Sequence, residues 1–98
     1  EIWTLTNLTT LSLYYNQFSG NIPEDIGQLK NLIYLYLDDN NLNGEIPPEL
    51  CIPGFFSPYL TDNKFCPPYP ACLEGYVGEQ DTSECAYCIT NPNDPDCN

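Results

Sequence analysis

The sequence predicts an α/β solenoid: a short parallel β-sheet on a concave face, short helical or 3-10 turns on the convex side, and an irregular, disulfide-tied C-terminal tail. Three observations predict it. Apolar and Asn positions recur at a fixed spacing. Within each recurrence a short run alternates apolar and polar residues, as a half-buried strand does. All six Cys lie from residue 51 onward, after the best copies of the repeat.

The recurrence comes first. Leu8, Leu11, Leu13, Asn16, Phe18, Gly20, Ile22 and Pro23 return 24 residues later as Leu32, Leu35, Leu37, Asn40, Leu42, Gly44, Ile46 and Pro47. Ile26 and Leu29 have earlier counterparts in Ile2 and Leu5. A third copy is spaced by 23, with Leu60, Asn63, Phe65, Tyr69 and Pro70 answering Leu37, Asn40, Leu42, Ile46 and Pro47. Self-similarity at a fixed period marks stacked units that cannot bury their apolar side alone. The coils fall at about 1–23, 24–47 and 48–72, and residues 73–98 read as a Cys-rich acidic cap and tail.

Each coil is readable locally. In Ile33-Tyr34-Leu35-Tyr36-Leu37-Asp38 alternate residues are apolar, and stacked coils place such strands side by side, roughly 4.8 Å apart. Asn16, Asn40 and Asn63 stand where the chain leaves the strand, where a buried amide pairs with backbone groups of its own and the adjacent coil. Gly20 and Gly44 permit a tight path into the Ile-Pro segment. Pro23 and Pro47 suit the start of a short helical turn, whose positive end accepts Glu24, Asp25 and Glu49.

The run LxxLxLxxNxLxGxIP resembles the leucine-rich repeat family in its plant-type form. The resemblance covers about residues 1–72, with two nearly complete copies and a looser third. It implies a non-enzymatic extracellular interaction protein, akin to the ectodomains of plant receptor-like proteins or to secreted inhibitors of plant cell-wall-degrading enzymes. The family normally opens with a Cys-bearing cap, and none precedes the first coil here.

That absence predicts an open N-terminal edge formed by Ile2, Leu5, Thr10, Leu11 and Ser12, since solenoids need polar caps and free strand edges recruit other strands. Either further repeats belong upstream or another molecule covers this edge. The C-terminal end is stopped differently. Pro67, Pro68 and Pro70 interrupt the third copy, and Pro58 takes the place of Leu35.

Cys51, Cys66, Cys72, Cys85, Cys88 and Cys97 read as structural disulfides of an oxidising compartment. Cys72 stands nearly one coil on from Cys51, which favours that pair; the other four stay unassigned. Cys85-Ala86-Tyr87-Cys88 is a CxxC, but no cation or second ligand pair supports redox or zinc chemistry. No cofactor or metal is expected. Asn91, Asn93, Asp94 and Asp96 are Ca²⁺-ligand types in the acidic tail, but their spacing fits a solvated end better. Asn7-Leu8-Thr9 is an N-glycosylation sequon, whereas Asn31-Leu32-Ile33 lacks the Thr.

Strand residues facing away from the core form three rows: Thr10, Tyr34, Ser57; Ser12, Tyr36, Tyr59; and Tyr14, Asp38, Thr61. Tyr15, Asp39 and Asp62 follow at the strand exits. Tyr14, Tyr34, Tyr36 and Tyr59 thus make an aromatic patch edged by acids such as Asp38. Tyrosine supplies contact area with a polar tip, which enriches it at interfaces. Its partners would be a protein carrying Lys or Arg, or sugars stacked on the rings.

Composition removes other functions. With 14 acidic residues, 2 cations and a net charge of -12, nothing neutralises phosphates, so nucleic acid and anionic lipid are excluded as partners. With no His, the usual general base is missing. No apolar run approaches the roughly 18 residues that span a bilayer. The leading expectation is a secreted subunit that associates with copies of itself, its open N-terminal edge on the C-terminal end of the next copy, into a filament. The alternative is the C-terminal part of a larger extracellular recognition protein that binds ligand on the concave Tyr/Asp face.

Overall fold

The computed structural model describes residues 4–13, 16–17, 19–51 and 58–97. Its strands are β1 (Thr10–Ser12), β2 (Ser19–Gly20), β3 (Tyr34–Tyr36), β4 (Asn41–Glu45) and β5 (Lys64–Cys66). One helix, α1 (Ala86–Thr90), lies near the C-terminus. The molecule is elongated, 41 × 26 × 19 Å, as stacked coils require.

The concave sheet forms where the alternating runs meet. β1 and β3 pair in parallel with Leu11 opposite Leu35, and the third coil joins through a parallel bridge between Tyr36 and Tyr59. The Leu37 N–H donates to the Tyr59 carbonyl and the Tyr59 N–H to that of Leu35, both at 2.8 Å. Inward residues make one core, with Leu35, Ile26, Leu29, Leu50 and Phe65 fully buried. Burial of one such side chain stabilises by about 1.5–3 kcal/mol.

The convex turns are 3-10 helices at Glu24–Gln28, Pro48–Leu50 and Ala71–Leu73. Each follows an extended proline, Pro23, Pro47 or Pro70, whose carbonyl closes the first turn. Gly27 lies where adjacent turns touch: a Cβ there would meet the Glu49 Cβ at 3.1 Å.

The ladder of amides ties coil to coil. Asn40 Nδ2 donates to the Leu13 and Leu37 carbonyls at 2.9 and 3.0 Å. Asn63 Nδ2 donates to those of Leu37 and Leu60 at 2.9 and 3.1 Å, and its Oδ1 accepts the Leu42 N–H at 3.0 Å. Both residues are buried, so each amide satisfies backbone groups that water does not reach.

Three features depart from the expected architecture. First, β2, β4 and β5 form a second parallel sheet beyond the ladder. Gly44, expected in a tight path, sits inside β4 at φ +78°, where a Cβ would lie 2.6 Å from Asn21 Oδ1. Second, Leu11 belongs to the core and not to an exposed flank: it is 6% exposed. A strand edge consists of backbone groups, while its side chains point to the two faces. Third, the region expected to lose the repeat continues it for one rung. Asn63 bridges to Gln80 in parallel, the Asp62 N–H donates to the Glu79 carbonyl at 2.8 Å, and the Asp81 N–H donates to the Asn63 carbonyl at 2.9 Å.

The cysteines lock this end. Cys51 is joined to Cys72, Cys66 to Cys85 and Cys88 to Cys97. The CxxC is therefore split between two partners, which leaves no local dithiol. Cys85 is buried within the cap, whereas Cys51 and Cys72 are exposed. Tyr69 packs against the core and donates to the Phe65 carbonyl at 3.2 Å. Burial, and then the charges of Asp96 and Asp94, push its pKa up to about 12.

Candidate concave binding face

The register of β1, β3 and Tyr59 sets which side chains share the solvent face. Thr10 lies beside Tyr34, Ser12 beside Tyr36, and Tyr36 beside Tyr59. Tyr34 and Tyr59 are 44% and 48% exposed, and Tyr36 is half-buried between coils. The Tyr36 and Tyr59 rings stand 4.8 Å apart, tilted by 41°, within the range favoured by offset aromatic pairs. The sheet thus brings together Tyr34, Tyr36 and Tyr59; Tyr14, Tyr15 and Ser57 lie outside the described residues.

Acids border the rings where the strands end. Asp38 is half-buried, and its Oδ1 is enclosed with no hydrogen-bond partner among the described residues. Asp39 and Asp62 occupy the left-handed region, at φ 59° and 60°, a conformation that Asp tolerates better than most residues. Equivalent positions on successive coils therefore bring the two carboxyls together. Partial loss of hydration raises the Asp39 pKa, and the charge of Asp62, its side-chain hydrogen bond and the charge of Asp38 raise it further. Asn16, Gln17, Asn40 and Asn41 complete an open polar groove around this pair. The arrangement offers aromatic surface, amides and negative charge side by side.

The expected N-terminal edge is only partly assembled. Thr10 and Ser12 are exposed and Leu5 is 52% exposed, Leu11 is buried, and Ile2 lies outside the described residues. Asn7 of the sequon is exposed in a turn. In the tail, the Tyr87 hydroxyl donates to Asp94, whose Oδ1 also accepts the Asp96 N–H at 2.9 Å. Both contacts lower the Asp94 pKa and occupy its carboxylate, and the same bond raises the Tyr87 pKa. Among the described residues no three His, Cys, Asp or Glu are placed to hold a metal ion. No helix of the described residues is long and apolar enough to cross a membrane.

Gln80 is the residue that sequence reasoning passes over. Its Nε2 donates to the Leu60 and Val77 carbonyls at 2.7 and 2.8 Å, and its Oε1 accepts the Phe65 N–H at 3.1 Å. The signal was present: Val77-x-x-Gln80 echoes Leu60-x-x-Asn63. Gly78, at φ +68°, accompanies it, because a Cβ there would meet Thr61 at 2.7 Å.

Comparison with known proteins places this geometry. Residues 6–50 match the family described as Leucine Rich repeats (2 copies). Receptor-like protein 32 of Arabidopsis thaliana is 49% identical over 49 residues, which are 45% of this chain and 6% of that protein. The crystal structure of PEPR1–AtPEP1 superimposes with a TM-score of 0.70 at 33% identity, covering 76% of this chain and 11% of that one. The plant peptide hormone receptor RGFR1 in complex with RGF2 gives a TM-score of 0.55 at 39% identity, over 65% of this chain and 10% of that one. The chain thus spans a small part of the length of each. Period, ladder, double parallel sheet and these similarities agree: the chain is a leucine-rich repeat protein of the plant type.

Proposed function

We propose that this chain is a non-enzymatic extracellular recognition module whose concave Tyr/Asp face binds a peptide or protein segment carrying Lys or Arg. The observation that carries this reading is the surface of exposed Tyr34 and Tyr59 around half-buried Tyr36, bordered by Asp38, Asp39 and Asp62. Rigid aromatic rings supply contact area at little entropic cost, and the acids select a cation. Similarity to a plant peptide hormone receptor in complex with RGF2 supports a peptide-like ligand. Three disulfides support an oxidising, extracellular setting.

A selection of random peptides displayed against the immobilised chain tests the reading. Enriched sequences should be rich in Lys or Arg and should lose binding to the Tyr36→Ala chain. Binders that ignore Tyr34→Ala, Tyr36→Ala and Tyr59→Ala would overturn the assignment. Selective retention on a glycan array, lost with the same variants, would move the ligand class to carbohydrate.

Self-association into a filament is a second reading. It is favoured by the outer edge of β1, which has a described strand on one side only, and by exposed Leu5. Against it stands the C-terminal end, where the edge of the third coil is already taken by residues 79–81. Sedimentation of the isolated chain decides: concentration-dependent polymers support the filament, and a monomer removes it.

A further inference from the structure

We infer that Asn7 carries an N-linked glycan, and that the first coil alone can present one, because the matching Asn31 of the second coil is followed by Ile33 instead of Thr or Ser and bonds the previous coil. Asn7-Leu8-Thr9 is the single Asn-X-Ser/Thr sequence in the chain. The period of 24 makes Asn7 equivalent to Asn31. Asn31 Nδ2 donates to the Thr6 carbonyl of the previous coil at 3.0 Å, a bond that ties the outer arc of one coil to the next. Ile33 stands where that site would need Thr or Ser.

Asn7 differs in each respect that matters. It lies in a turn and is exposed, its side chain makes no hydrogen bond to any described residue, and Thr9 is exposed beside it. Sugar on this amide therefore breaks no contact of the described fold. The chemistry is a group transfer. Asn7 Nδ2 attacks the anomeric carbon of a lipid-linked oligosaccharide diphosphate, the new N–C bond replaces the sugar–phosphate C–O bond, and the lipid diphosphate leaves. The amide proton passes to the transferase, and one N–H remains on Nδ2. The glycan would lie two residues from exposed Leu5 in the same turn region and would hinder approach of a second copy to it.

Secretion of the full chain from a eukaryotic host tests the inference, with the mass of the intact protein as the readout. The wild-type chain should carry one glycan that peptide N-glycosidase removes with conversion of Asn7 to Asp. Asn7→Gln and Thr9→Ala should lose the increment, while Thr9→Ser retains it. Because Thr9→Ala leaves Asn7 in place, a folding defect of one variant does not obscure the result. A secreted wild-type chain of unmodified mass would overturn the inference, as would an increment that persists in Thr9→Ala.

Discussion

Gln80 stands to Leu60 as Asn63 stands to Leu37: each amide donates to the carbonyl of the preceding coil, at 2.7 and 2.9 Å respectively. The likeness extends further. Each amide also donates to the carbonyl three residues earlier in its own coil, and each side-chain oxygen accepts an N–H of the coil before, from Phe65 or Leu42. Gln80 follows Asn63 by 17 residues instead of 23, so the cap is a shortened coil that keeps the rung and discards the rest. The solenoid is closed by a copy of its own device.

Gln80→Ala should therefore destabilise the chain by about 1–3 kcal/mol, the cost of leaving enclosed backbone groups without partners. Asn63→Ala should cost at least as much, since Asn63 is the more deeply buried of the two. Urea unfolding of both variants checks this. A Gln80→Ala chain as stable as wild type would mean that the fourth rung contributes nothing.

Leu11→Lys distinguishes a core residue from an edge residue. Leu11 is buried opposite Leu35, so the variant should fail to fold cooperatively, because an unpaired charge replaces core contacts. Leu11→Ala should cost about 2–5 kcal/mol. Thr10→Lys, on the exposed face of the same strand, should leave the unfolding midpoint nearly unchanged.

The Asp39–Asp62 pair makes a pH prediction. The Asp39 pKa is raised in the folded chain, so the native state holds its proton more tightly than the unfolded state does. The ionised pair then opposes folding above that raised value, and the penalty is relieved as pH falls through it. Asp81 and Asp94 act oppositely. Hydrogen bonds from Ser83 and Tyr87 lower their pKa values, and that stabilisation, present above their ordinary values, disappears as pH falls through the depressed ones. In a carboxyl NMR titration Asp39 should titrate above its ordinary value. Asp62→Asn should bring it down, though not fully, because loss of hydration is the larger cause. Asp62→Asn should not lower stability at neutral pH.

The disulfides should differ in accessibility and weight. Cys51–Cys72 is exposed, whereas Cys66–Cys85 ties the third coil to the buried Cys85 of the cap. Mild thiol reduction followed by alkylation should label Cys51 and Cys72 first. Replacing Cys66 and Cys85 together by Ala should cost about 3 kcal/mol, on the loop-entropy account of such a crosslink. Alkylation of Cys85 before Cys51 would contradict this placement.

The periodic parts of the fold are legible because one cause repeats. Leu35 and Leu37 face the core, Asn40 bonds the strand exits, and Pro47 begins a convex turn, each for reasons that act again one coil away. Positions that depend on a neighbouring coil rather than on their own chemistry are harder to read. β4 is Asn-Leu-Asn-Gly-Glu, poor in strand-favouring residues, and it is extended because β2 and β5 flank it. Its one local clue is Leu42, buried between exposed Asn41 and Asn43. Gln80 is hidden by the shortened spacing and by the exchange of Asn for Gln. On the proposed binding face the rows of Tyr34, Tyr36 and Tyr59 follow from register alone. The approach of Asp39 to Asp62 needs the left-handed backbone at both residues, which alternation does not encode.

The recognition face is tested most directly by the ring-proton NMR signals of the tyrosines as a selected Lys- or Arg-rich peptide is added. Shifts concentrated at Tyr34, Tyr36 and Tyr59, absent for a peptide with its cations replaced by Gln, are the predicted result. Shifts confined to Tyr69, Tyr76 and Tyr87 of the C-terminal region, with the concave rings unmoved, would contradict it.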